Sequence, residues 1–207
     1  GHGGIIGAVG HTGPTILTYL PTRRHTYLSE VSLPQLPARV AGLQGECAIK
    51  DAAGELLESA IPRVAIVKDG AYVDDGYEES ENSQFDLRAL IAQCTANYGL
   101  AGFVVEGLAP YGTMTSTSRI RWMRCALHSG IPVVAVGRGN NEGFTAPQGG
   151  FIGGRNLTAT KARLLLMACL MRFGSLPVAA DPDRPSASER QAIRAKLGDY
   201  QRVFDTH

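Results

Sequence analysis

The 207-residue sequence has no apolar run long enough to cross a bilayer. Its longest, LLLMACLM at 164–171, falls inside a stretch that reads as a short helix. It carries no excess of either charge: 20 Lys and Arg face 19 Asp and Glu, a net charge of +1. That removes the electrostatic reason to expect nucleic acid or an anionic membrane as a partner. Cysteine is scarce. Cys47, Cys94, Cys125 and Cys169 are widely spaced and form no CxxC or Cys/His pattern, which excludes a disulfide framework and the usual zinc sites. Each lies among apolar neighbours and reads as a buried free thiol, in keeping with a reducing, cytoplasmic compartment. No secretory signal pattern is visible. The motifs GxGxxG, GxSxG, HExxH and the Walker loop are all missing, so no metal and no cofactor is expected.

What is present is a change of rhythm along the chain. IIGAVGHTGPTILTYL (5–20) places two apolar stretches around a Gly/Pro turn and predicts a β-hairpin. Prolines at 21, 34 and 37 then mark an extended arm. ECAIKDAAGELLES (46–59) predicts a second hairpin, turning at 51–54. From residue 62 onward, apolar β-branched runs alternate with helical stripes. Strands are expected at RVAIVKDG (63–70), GFVVEG (102–107), IPVVAVG (131–137) and GGFIGG (149–154). Helices are expected over 85–99, 115–130, 158–174 and 188–204. Thr158 is the expected N-cap of the third, and Ser186 or Ser188 of the last. Continuous apolar strands alternating with helices imply an α/β fold: a small parallel sheet flanked by helices, Rossmann- or flavodoxin-like, preceded by a β-hairpin arm.

In such sheets, ligands bind beyond the carboxyl ends of the strands. VVEGLAPYGTMTSTSR (104–119) runs through that position. Its hydroxyls, from Thr113 to Ser118, suit a helix cap, and the free N–H groups there would equally hold a carboxylate or amide ligand. GRGNNEG (137–143) has glycines spaced wrongly for a dinucleotide loop, and the acidic run DDGYEESE (74–81) matches no EF-hand. His128, in the last turn of a helix, reads as a partner of the helix dipole. No Ser–His–Asp set emerges, and no catalytic residue is assigned.

GFIGGRNLTATKARLLLMACL (150–170) resembles the signature near the end of bacterial-type L-asparaginases and glutaminase-asparaginases. A Gly-Phe strand is followed there by a small-residue turn, a Leu, and a Lys-Ala-Arg leading an apolar helix; here these are Gly150, Phe151, Leu157, Lys161, Ala162 and Arg163. GFVVEGLAPYGTM and GIPVVAVGRGNNEG are similar to two further family strands in order and spacing, the second ending in the matching Arg138. The opening residues resemble the closing hairpin and linker of the family's larger domain. The chain also opens on GHGGIIGAVG, without an initiating Met, and the expectation is of a piece of a longer polypeptide.

The resemblance implies residues 1–45 as a hairpin and linker arm from a larger amino-terminal domain, and 46–207 as the family's carboxyl-terminal α/β domain. It implies the amino-terminal catalytic domain as partner, since the family's nucleophilic Thr loops have no counterpart here: no Gly-Gly-Thr or Asp-Gly-Thr-Asp occurs. A homodimer or tetramer is implied, with a small amide as substrate. The family lends an Asn from the turn after the second strand, and in some members a Glu from a later loop, to the neighbour's active site. Those positions fall on Tyr111, or with a small shift Thr113, and on Glu142. With Arg138 these are the expected substrate-binding residues. The alternative is a stand-alone binding or assembly module that kept the fold and lost catalysis. Tyr111 in place of Asn, and the acid-free loop FTAPQGG (144–150), lean toward it.

Overall fold

The computed structural model describes residues 7–13, 16–21, 35–36, 47–48, 51–53, 55, 57–69, 93, 99–108, 112–115, 117–138 and 145–206. Before residue 51, and at Ser59 and Ser118, it describes the backbone alone. Strands β1 (Gly7–Gly13) and β2 (Ile16–Pro21) pair antiparallel, with an irregularity between His11 and Gly13, and form the expected first hairpin. The second hairpin differs from expectation. β4 (Cys47–Ala48) finds its antiparallel partner upstream, in β3 (Gln35–Leu36), within the arm that reads as unpaired. The turn itself is present: Asp51 accepts the N–H groups of Ala53 and Glu55 through Oδ1, each at 2.9 Å. A short Asx-type turn is legible locally, whereas its strand partner is chosen by the rest of the fold.

A single 3-10 turn, Glu58–Ala60, leads into β5 (Arg63–Lys68). β6 (Leu100–Gly107), β7 (Val133–Gly137) and β8 (Ile152–Gly153) complete a four-stranded sheet in the order β5-β6-β7-β8. Every neighbouring pair in it is parallel. Three helices are described: α1 (Thr117–His128), α2 (Ala159–Phe173) and α3 (Ala187–Thr206). The α/β class expected from the alternation is thus the observed one. Of the helix expected over 85–99, Gln93 is helical and Gly99 takes a φ of 57°, as a left-handed cap does; the remainder lies outside the described residues.

The central strands explain their own composition. β7 is buried at every position and β6 at all but Glu106, which requires cover on both sheet faces and favours uninterrupted Val and Ala. β5, at the edge, alternates between buried and open positions and leaves Ile66 exposed. α2 lies across β5, β6 and β7, where Leu166 and Leu170 fill the space above Gly102. α3 packs on α2 and β8. Its Tyr200 and Phe204 are fully buried, the Tyr200 ring sits 5.4 Å from that of Phe173, and its hydroxyl donates to the Gly174 carbonyl. Burial raises the Tyr200 phenol above its ordinary range, so it stays neutral.

The edge strand β8 is only two residues long, and α3 completes it. Gln201 accepts the Gly153 N–H at 2.8 Å and donates back to the Gly153 carbonyl at 3.2 Å, pairing that residue as a further strand would. Both expected caps form. Thr158 Oγ1 accepts the Lys161 N–H, and Ser186 and Glu189 cap α3 reciprocally. Cys169 is buried and its thiol is pushed up to about 12 by desolvation, against a smaller opposing pull from Arg172. Cys125 is a half-buried free thiol. No helix among the described residues is long and apolar enough to cross a membrane.

Candidate functional site

Three strand ends converge at the carboxyl edge of the sheet, and two acid–arginine pairs join them. Asp69 directly follows β5, and its N–H continues the ladder to the Glu106 carbonyl at 2.8 Å. Its side chain is fully buried. Oδ1 accepts from Arg119 Nη1 at 2.7 Å, and the same nitrogen also reaches the Lys68 carbonyl at 2.8 Å. Oδ2 accepts the Thr115 N–H at 2.7 Å, just ahead of α1.

The N-terminal approach to that helix is where the sequence leaves room for a ligand carboxylate. The protein puts its own carboxylate there. An anion at this end is favoured by the helix dipole, and the guanidinium one turn into α1 completes its coordination. With both oxygens engaged and no solvent access, Asp69 positions the start of α1 and offers no base or nucleophile to the surface. The pairing joins residues 50 apart in sequence, and no local motif announces it.

Arg138, immediately beyond β7, spans the other strand ends. Its Nε lies 3.4 Å from Glu106 Oε1, and Nη2 donates to the Asp69 carbonyl at 2.8 Å. The Arg138 side chain is 43% exposed while Glu106 is 18% exposed, so one face of the guanidinium is held and the rest meets solvent. A guanidinium has five donors, and those outside these two contacts suit a carboxylate or amide oxygen.

Thr113 is exposed on the turn that folds back from β6. Leu108 N–H donates to the Thr113 carbonyl at 3.0 Å, and Gly112 N–H to Leu108 at 2.8 Å. Gly112 takes a φ of 69°, and a Cβ there would stand 2.7 Å from the Val136 carbonyl. Glycine is therefore what lets this turn lie against the end of β7.

The structure thus puts Thr113 and Arg138 at the carboxyl edge. Tyr111 and Glu142 lie outside the described residues, as do the acidic run 74–81 and the whole of 139–144. Asp69, Arg119 and Glu106 are additions that the sequence pattern does not single out. His128 sits away from this set: its Nδ1 contacts the Pro182 carbonyl at 2.8 Å. Among the described residues, no group of three His, Cys, Asp or Glu could hold a metal ion.

No protein-family model matches the sequence, and no curated protein matches it. Among solved structures, the chain is similar to a probable cytoplasmic L-asparaginase from Campylobacter jejuni, at 21% identity and a TM-score of 0.46. That match covers 72% of this chain and 39% of the Campylobacter protein, so the chain spans well under half of the other's length.

Proposed function

We propose that this chain acts as the carboxyl-terminal α/β domain of an asparaginase-like amidohydrolase, edging the substrate and contributing dimer contacts, and inactive by itself. In this reading an amino-terminal catalytic domain supplies a Thr nucleophile for acyl transfer to water, with no metal or cofactor. The observation that carries it is Arg138. The residue at the family-matching arginine stands at the carboxyl end of β7, braced on Glu106 and Asp69, with part of its guanidinium open. Thr113 is exposed on the neighbouring turn. Tyr111 and Glu142 complete the proposed substrate edge, and the Lys161–Ala162–Arg163 run leading α2 adds the sequence support.

Three measurements test this. The purified 207 residues should release no ammonia from L-asparagine or L-glutamine; steady release would overturn the inactive-alone reading. An immunoblot of native cells should show a band larger by a further domain. In that larger protein Arg138→Ala should raise KM for the amide and leave kcat nearly unchanged, as the loss of a ground-state contact does.

The second reading, a binding or assembly module without catalysis, is favoured by Tyr111 at the family's Asn position and by the acid-free 144–150 loop. A native band at the size of the present chain would select it.

A further inference from the structure

A groove of 670 Å³ runs between α1 and the loop 181–184. One wall is a single stripe of α1: Thr117, Arg121, Arg124 and His128, at helical positions i, i+4, i+7 and i+11, project to the same side. The opposite wall carries Asp181, Asp183 and Arg184. Among the described residues, Arg121, Arg124 and Arg184 enter no ion pair. The groove thus sets three arginines against two aspartates, and an anion bound beside the arginines would find charge-assisted donors there.

The loop wall is already fixed. Asp181 Oδ1 accepts the N–H groups of Asp183 at 3.0 Å and Arg184 at 3.3 Å. His128 Nδ1 holds the Pro182 carbonyl at 2.8 Å, the Ala179 N–H donates to the His128 carbonyl at 2.8 Å, and the Ala180 N–H to Glu189 at 2.8 Å. A site whose backbone is tied down in advance loses little ordering entropy on binding.

The acids select among anions. Asp181 is occupied by its own turn, but Asp183 is exposed and its carboxylate accepts no ion pair among the described residues. It would repel a bare phosphate and accept hydrogen bonds from hydroxyl groups. We infer that this groove binds a phosphate ester of a hydroxyl-bearing small molecule, with the phosphate on Arg121, Arg124 and Arg184 and the hydroxyls toward Asp183. A sugar phosphate and a nucleotide share that chemistry, and the volume lies within the range of small-molecule sites. The lining shares no residue with the carboxyl-edge set, so the inference stands apart from the amidohydrolase reading.

The test is titration calorimetry of the full 207-residue chain with ribose phosphate, adenosine diphosphate and inorganic phosphate in turn. Fluorescence of Trp122, the chain's only tryptophan, follows the same titrations, since Arg121 lies 5.8 Å over its ring. Saturable binding of ribose phosphate, of the nucleotide, or of both is expected, and the tighter of them names the source. The double substitution Arg121→Gln and Arg124→Gln should weaken it by roughly tenfold or more, while Arg194→Gln on α3 leaves it unchanged. Asp183→Asn should weaken the ester and strengthen inorganic phosphate. If the double variant proves unfolded by circular dichroism, Arg184→Gln on the loop makes the same test. No saturable binding of either ester, binding indifferent to the arginine substitutions, or inorganic phosphate binding as tightly as both esters would overturn the inference.

Discussion

Asp69 is a carboxylate with no water to solvate it, and its position depends on what replaces the water. The Arg119 guanidinium and the Thr115 N–H do so, at 2.7 Å each. Arg119 is itself only 18% exposed, so removing the acid takes the carboxylate from a mostly buried cation that keeps the Lys68 carbonyl. Losing one partner of such a pair costs more than the pair contributes, because the remaining charge keeps its desolvation penalty. Asp69→Ala should therefore lower unfolding free energy by about 3–5 kcal/mol, read as a shift in urea midpoint. Asp69→Asn keeps an acceptor for the Thr115 N–H and should cost less. Equal losses for the two variants would mean that the charge is irrelevant and only the hydrogen bonds to Asp69 matter.

At the scale of the element, α3 shows which features are local and which are not. Ser186 and Glu189 stand three apart, ahead of an amphipathic run, and the reciprocal cap they form is legible from that spacing alone. The third partner is not, because Ala180 lies nine residues upstream and is brought in by the 181–184 turn. The Glu189 carboxyl is held down to about 2 from its ordinary 4.5, first by the Ala180 N–H, then by the Ser186 hydroxyl and N–H. A carboxyl whose folded value lies below its unfolded value adds stability above the unfolded value and loses it as pH falls. The contribution should thus be complete above pH 4.5 and fade toward pH 2. Glu189→Gln should flatten the change in thermal midpoint across that window and leave the slope at higher pH unaltered. Gly198, in the middle of the same helix, has nothing within 4 Å of where a Cβ would stand. Gly198→Ala should raise stability by about 0.5–1 kcal/mol, measurable by the same melts.

For the molecule as a whole, what could be read in advance followed the reach of each signal. The runs of Val and Ala in β6 and β7 carry their own explanation, double-sided burial, and so the parallel α/β class was legible. The caps at Thr158 and Ser186 were legible because their partners lie three residues away. Asp69–Arg119, Arg138–Glu106 and Gln201–Gly153 were not, since only the finished sheet brings their partners together. The same distinction governs the pairing of β4, which turns at Asp51 as its sequence says but joins β3 across the 45/46 boundary. Among the described residues, every contact named in the sheet and its carboxyl edge falls between Ala60 and Asp205. A chain beginning at residue 46 keeps all of them. Among the described residues it loses the β1–β2 hairpin, which pairs within itself, the two-residue β3–β4 pairing and the approach of β3 to α2; the β3–β4 pairing is worth about 1–2 kcal/mol at the usual net value of a hydrogen bond. Residues 46–207 should therefore unfold in one cooperative urea transition, with a midpoint only modestly below that of the whole chain. A broad, non-cooperative transition would instead make the 1–45 arm part of what closes the sheet.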